Sequence, residues 1–406
     1  MSRLSLNAHL GWILLIVSFA GGIALDPWSL GERDPAKIVG STRMVLRHAQ
    51  AVGVGMGVLQ LLVAQLLTLS GVAGRVRAGV SWITAAGAVL YALGHSIRAL
   101  EPGAAWLVPV GAVLNLSGFL TLLVVLLRRG DDVVASLLVG VLALGMSIDC
   151  VMGLFAANAA TFLPQYLGAE DGVQLRMLRL ARAAAIALST LCLLFRALPD
   201  PATSGPLERR AQAGFAIGMT GMPIVLTAAA FVWIHFKWLL GIPALSVFGG
   251  VCVAVWLSRR RAPALEEFGW LVIAISMGVG LLIGMYAFDG PLPSPVGEYN
   301  DYPRRLSRLG HSYAIVLGLI CIFASRKQAT VRATRFLVAG TVVTAAAIFL
   351  LAVSGSTSGI LLVGPTIMTI GMVLAYLSGE RNPKAAASSA QPTSISDSPG
   401  HHHQGE

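Results

Sequence analysis

The chain has 406 residues, of which 56% are hydrophobic and only 12% are charged, and its mean hydropathy is +0.76. Soluble domains carry about 25% charged residues, so this composition excludes a soluble globular protein. The net charge of +10 does not predict a nucleic-acid partner, because the cations lie in short segments beside apolar runs, as membrane orientation requires.

Continuous apolar runs recur along the whole chain. A helix needs roughly 20 residues to cross ~30 Å of hydrocarbon, whereas a membrane β-barrel would show alternating residues. The sequence therefore predicts an all-α membrane protein, a twelve-helix transmembrane bundle whose main partner is the lipid bilayer. The predicted spans are 9–25, 44–70, 78–98, 104–127, 133–157, 177–196, 213–235, 238–257, 266–288, 309–325, 334–354 and 357–378.

Arginine and lysine mark every second connection between the spans, for example at Arg75, Arg128, Arg196, Arg260 and Arg326. The intervening connections are acidic or nearly uncharged. The positive-inside rule then places this side and both termini in the cytoplasm of a bacterial-type inner membrane. Residues 382–406 are rich in Ala, Ser, Pro and Gln and are predicted to form a disordered cytoplasmic tail.

An internal repeat is predicted, because arginine clusters and other short residue patterns recur along the chain in the same order. Arg179 follows Arg47 by 132 residues, and Arg308 follows Arg179 by 129 residues. The first, fifth and ninth spans end on the pattern Gly-x-x-Ala-x-Asp/Asn, and the fourth, eighth and twelfth each contain a proline near the outer end. Four spans restore the starting orientation, so three units would surround an axis along the membrane normal. The predicted four-helix units are 1–130, 131–262 and 263–381.

Twelve spans in three quasi-symmetric arcs, with His48 early in the second span and His311 early in the tenth, resemble subunit I of the haem–copper oxidase superfamily, which also includes nitric oxide reductases. The resemblance implies that these histidines ligate a haem, and that Arg43 belongs to the approach to the second-span histidine. The resemblance does not include the family's copper site, whose histidine ligands lie on the sixth and seventh helices, because the sixth span here has no histidine and the seventh has only His235. It therefore implies a haem-binding or haem-free relative without a copper centre, and it leaves enzymatic activity open.

The residues themselves leave two interpretations of His48 and His311 open. Paired imidazoles are suitable axial ligands for haem iron. The repeat, however, aligns His311 with Gln50 rather than His48, and this two-residue offset turns the side chain roughly 200° around the helix. The alternative is a histidine that forms hydrogen bonds at the headgroup boundary. His95 and His235, at the outer ends of their spans, are interpreted as interfacial anchors.

Arginine pairs at the starts of the second, sixth and tenth spans break the orientation rule, because they fall on the outer side. Such pairs share a helix face, since residues three or four apart are neighbours. The pairs are Arg43 with Arg47, Arg176 with Arg179, and Arg304 with Arg308. One interpretation is pairing with acids of the outer loops; the other is an anion clamp for haem propionates or an anionic substrate.

Two ionisable residues lie deeper in their spans. Asp149 is in the middle of the fifth span, where an ionisable group is costly and indicates function. It would carry protons or a cation, or form a hydrogen bond to a neighbouring helix. Arg182 lies deeper than Arg179 and has a greater need for a partner.

Three functional hypotheses follow. The first is a haem-binding protein, with His48 and His311 as metal ligands and Arg43, Arg47 and Arg308 beside the cofactor. The second is a transporter or channel for a small solute or anion, with Asp149, Arg179 and Arg182 along its pathway. The third is a non-catalytic accessory subunit that binds another membrane protein.

Overall fold

The computed structural model describes residues 5–29, 42–130, 132–157, 173–198, 205–286, 301–354 and 360–381. Within these ranges the chain forms twelve long α-helices, two short 3-10 helices at Pro102–Trp106 and Ile234–Leu240, and no β-strand. The long helices are α1 Leu6–Ser29, α2 Thr42–Leu69, α3 Gly74–Ile97, α4 Leu107–Arg129, α5 Val133–Ala157, α6 Val173–Arg196, α7 Pro206–Phe231, α8 Gly241–Arg261, α9 Ala264–Tyr286, α10 Tyr302–Arg326, α11 Val331–Ser354 and α12 Ile360–Arg381.

The apolar composition of these helices supports a multi-pass membrane protein. Eleven are long and apolar enough to cross a membrane, and in α12 the described apolar stretch is Leu362–Ser378. The all-α class and a helix at each of the twelve predicted spans are thereby confirmed.

Two helices begin earlier than their apolar runs predict. Helix α10 begins at Tyr302 rather than near residue 309, and α7 begins at Pro206 rather than near residue 213. Both carry a proline in the first turn, where the missing amide hydrogen costs no helical hydrogen bond. The early start of α10 makes its first arginines helical, and Arg304 is only 1% exposed.

The helices pack in chain order into a closed ring. Each helix packs against the next, and α1 packs against α12. Helix α2 also contacts α6 and α10, so these three helices meet inside the ring. In the apolar stretch of α2, 72% of the residues are buried, and in that of α6, 67%, compared with 22% in α1.

Ion pairs join the helices at the end where α1 begins and α12 ends, which we call the basic end. The Arg326 guanidinium lies 2.7 Å from the Glu266 carboxylate and donates to the Leu194 carbonyl, also at 2.7 Å. Arg196 pairs with Asp132 at 2.9 Å. Burial alone would raise the pKa of Asp132, but hydrogen bonds from Arg196 and from backbone amides hold that pKa below its ordinary value.

A lysine closes the ring at the same end. The Lys327 Nζ donates to the Tyr376 carbonyl at 2.6 Å and lies 4.6 Å from the centroid of that tyrosine ring and 5.7 Å from that of Trp12. The Nδ1 of His9 lies 3.0 Å from the Tyr376 hydroxyl. These contacts, which we call the Lys327 clasp, join α1 and α12 to the end of α10.

The closest helix crossings depend on glycine. A Cβ at Gly57 would lie 3.0 Å from the Gly11 carbonyl oxygen, and a Cβ at Gly11 would lie 2.9 Å from that of Gly57, so α1 and α2 cross backbone to backbone. Helices α9 and α10 cross in the same way at Gly269 and Gly318. Helices α5 and α6, in their described parts, show no such reciprocal pair and pack less closely.

The predicted units 1–130, 131–262 and 263–381 stay a prediction. Helix α1 also contacts α3, α5 contacts α7, and α9 contacts α11, whereas the contact of α10 with α12 has no counterpart of similar extent in the first two units. Parts of the repeat pattern, including Asn158 and Asp289, and the predicted tail 382–406 lie outside the described residues.

Gly57→Ala should destabilise the protein, because the added methyl group meets the backbone of α1, and overpacking of this kind costs about 1–3 kcal/mol. Gly55→Ala is the matched control two residues away, since a Cβ there meets nothing within 4 Å. The measurement is thermal unfolding of both variants in detergent. Equal melting temperatures for the two variants would contradict a backbone-to-backbone crossing at Gly57.

Candidate functional site: a buried charged network

A buried charged contact lies between α3, α5 and α6. The Asp149 Oδ1 accepts from the Tyr91 hydroxyl at 2.7 Å and from the Arg182 Nη1 at 3.0 Å, and the same Nη1 lies 3.0 Å from the Tyr91 oxygen. The Asp149 side chain is 0% exposed and that of Arg182 is 15% exposed. The three side chains therefore form one closed triangle, which we call the Arg182 triad.

Helix geometry sets the depth of the triad. Arg182 lies nine residues beyond the start of α6 at Val173, which is roughly 13 Å along the axis at 1.5 Å per residue. Asp149 and Tyr91 lie well before the ends of α5 and α3, so the triad is inset from the end opposite the basic end. The second carboxylate oxygen, Oδ2 of Asp149, is buried and has no hydrogen-bond partner among the described residues.

Two histidines extend the network toward that opposite end. The ring of His95 lies 4.9 Å from the ring of Tyr91 and 4.9 Å from the ring of His48, edge to face in both cases. His95 is only 3% exposed, and neither of its ring nitrogens has a hydrogen-bond partner within the described part of the chain. The charges of Arg98 and Arg182 act on both rings. A buried imidazole thus lies among guanidinium groups.

His311 takes part in a different cluster. Its Nδ1 lies 2.7 Å from the Ser276 carbonyl oxygen, and the Ser276 hydroxyl donates to the His311 carbonyl at 2.7 Å. A Cβ added at Gly280 would collide with the His311 ring, so the ring lies against α9. Gln50, its predicted counterpart in the repeat, donates to the Tyr313 hydroxyl at 2.9 Å.

Among the predicted arginines, Arg179 joins the site, because its charge acts on the His48 ring. Arg47 and Arg308 are partly buried in α2 and α10. The side chain of Arg43 and most of the acids proposed as partners for the outer arginines, such as Glu170 and Asp289, lie outside the described residues.

In the described contacts His48 and His311 do not face each other, as ligation of one haem by both rings would require. The ring of His48 lies against that of His95, whereas the ring of His311 is held between α9 and α10. The two rings therefore belong to separate clusters. Haem ligation by this pair stays a prediction from the sequence resemblance.

Tyr91, His95 and Arg98 are the site residues that the sequence interpretation missed. His95 was predicted to be an interfacial anchor, but it is buried; His235 is exposed, with its ring 5.1 Å from that of Trp233, as an anchor would be. The sequence feature that could have identified these residues together is their spacing, because residues 91, 95 and 98 share one face of α3.

Comparison with known proteins gave no match: no protein-family model, curated protein or solved structure matches the chain. The chemistry of the site is therefore the basis for inferring function.

Replacing one member of the Asp149–Arg182 ion pair should destabilise the protein more than replacing both members together. Asp149→Asn and Arg182→Gln should each destabilise the protein by about 3–5 kcal/mol, because each leaves one buried group uncompensated. The double variant should recover a large part of that loss. The measurement is a double-mutant cycle of unfolding in detergent, and strictly additive effects would show that the two side chains do not compensate each other.

Proposed function

We propose that the protein is a polytopic membrane transporter or channel that binds a small oxyanion at the site formed by His95, His48 and the Arg182 triad. The observation that carries the proposal is the hydrogen-bonding state of His95. Its side chain is buried, both ring nitrogens lack a partner among the described residues, and guanidinium charges act on the ring.

The missing partner of His95 is best supplied by an anion. A neutral imidazole has one N–H donor and one acceptor nitrogen. Arg98 and Arg182 carry only donors, and the Tyr91 hydroxyl already donates to Asp149. A buried donor without an acceptor is costly. An anionic oxygen would accept from the imidazole and lie within range of the guanidinium charges, which favour carboxylate-like geometry.

The position of the site suits a solute pathway. It is contributed by α2, α3, α5 and α6, and α2 and α6 are the two helices with the largest buried share in the interior of the ring. Ionisable groups inside a helical bundle commonly mark pathways for ions or substrates.

We also propose that the bundle consists of three quasi-equivalent four-helix units. The recurrence of the α1–α3 contact as α5–α7 and α9–α11, and the meeting of α2 with α6 and α10 inside the ring, support this arrangement. At the equivalent positions 50, 182 and 311 the side chains differ, with Gln50 and His311 making neutral contacts. The charged site would then be restricted to the second unit and its neighbours.

Anion binding is tested with nitrate, acetate and inorganic phosphate as probes. At least one should raise the melting temperature of the purified protein in a saturable way, because ligands that bind the folded state stabilise it. His95→Ala should lose this effect, and the exposed His235→Ala is the matched control that should keep it. The same anion should cross proteoliposome membranes, and Arg182→Gln should abolish that flux. No stabilisation by any probe would remove the proposal.

Haem binding through His311 is a second proposal, supported by one observation. Metal-ligating histidines commonly donate their other ring nitrogen to a carbonyl, and the Nδ1 of His311 lies 2.7 Å from the Ser276 carbonyl oxygen. That bond leaves Nε2 as the ligating nitrogen. Protein purified after expression with haem supplied should then show a Soret band. The band should be lost or shifted in His311→Ala and kept in His235→Ala; the absence of a band in the unmodified protein would exclude this function.

A further inference from the structure

The two carboxylate oxygens of Asp149 differ in their hydrogen bonds within the Arg182 triad. Both donors, the Tyr91 hydroxyl and the Arg182 Nη1, contact Oδ1. Oδ2 is buried and has no partner in the described ranges. A proton placed on Oδ2 would leave Oδ1 as a carbonyl oxygen that still accepts from both donors, so protonation requires no rearrangement of the triad.

Arg182 is shared between the carboxylate and the histidine region. Its Nη1 pairs with Asp149 at 3.0 Å, and its charge also acts on His48 and His95. An anion bound at His95 would therefore compete with Asp149 for the same positive charge. In a buried environment this competition is strong, because neighbouring charges are only weakly screened there.

Within the described ranges, few titratable groups face Asp149. Arg182 approaches it from α6 and Tyr91 from α3, while Cys150 is its neighbour on α5. Helices α4 and α7 also pack against α5, but their ionisable residues, Arg128, Arg129, Glu208, Arg209 and Arg210, lie at the basic end. Arg182 is therefore the cation whose loss to an anion would change the proton affinity of Asp149.

We propose that anion binding at His95 is coupled to the uptake of one proton by Oδ2 of Asp149, so that anion and proton occupy the bundle together. The proposal rests on the anion-binding function above. In the anion-free state Arg182 compensates the ionised Asp149. When the anion takes over that compensation, Oδ2 of Asp149 takes a proton from hydronium or the buffer acid. The Oδ2–H bond forms as the donor's bond to that proton breaks, and the charges of the added anion and the added proton cancel at the site.

The test uses the full chain in weakly buffered detergent solution with a pH indicator, and nitrate as the probe, because nitrate does not itself bind a proton near neutral pH. We expect about one proton taken up for each nitrate bound, with binding measured separately by calorimetry. By linkage, nitrate affinity should weaken by up to roughly tenfold for each unit of rising pH.

Asp149→Asn should bind nitrate without proton uptake and with an affinity that does not vary with pH. Tyr91→Phe keeps the ion pair but removes one donor to the ionised Oδ1, so its loss of nitrate affinity should begin at higher pH than in the unmodified protein. This variant keeps the test decisive if Asp149→Asn fails to fold.

The outcomes separate the two proposals. No nitrate binding together with no binding of the other two probes removes the anion-binding function itself. Nitrate binding without proton uptake, proton uptake that persists in Asp149→Asn, or an unchanged pH dependence in Tyr91→Phe overturns the coupling and leaves anion binding intact.

Discussion

A charge inside a helical bundle must be compensated within the bundle, and the Arg182 triad is where this constraint is most visible. The Asp149 carboxylate is fully buried and Arg182 nearly so, and neither would be stable there alone. Tyr91 adds a hydrogen bond from a third helix. The three helices that supply these side chains are consequently fixed in depth and rotation relative to one another, which in turn places His95 and His48 side by side.

Glycine contacts differ between the helix crossings of the ring. Reciprocal glycines bring the backbones of α1 and α2, and those of α9 and α10, close together, with leucine or isoleucine side chains beside the glycines. Helices α5 and α6 pack less closely in their described parts, and the longer side chains of Asp149 and Arg182 fit between them. A glycine also takes part in the α5–α6 crossing, since a Cβ at Gly145, about one turn before Asp149, would lie 2.8 Å from the Ala185 Cβ.

The sequence predicted the helices well and the site only in part. Long apolar runs identify spans because hydrocarbon demands internally paired backbone groups, so twelve helices appeared where expected. The need of Arg182 for a partner was also predictable from its depth. Its pairing with Asp149 was not, because the choice of partner depends on the rotation of α5 and α6. His95 was misjudged because its position near a helix end suggested the interface, whereas α2 packs against α3 and brings the His48 ring within 4.9 Å of the buried His95 ring. Helix starts at Tyr302 and Pro206 were placed too late, since hydropathy does not register a polar first turn.

The Lys327 clasp has a consequence for biosynthesis. Of the twelve long helices α1 is made first and α12 last, yet the two pack against each other. Helices that follow each other in the chain can associate once both have been inserted, but α1 has no α12 to pack against until the last of the twelve helices has been made. The ring would therefore close in a single late step that joins the two extremes of the chain, and a protein shortened before α12 would remain an open arc.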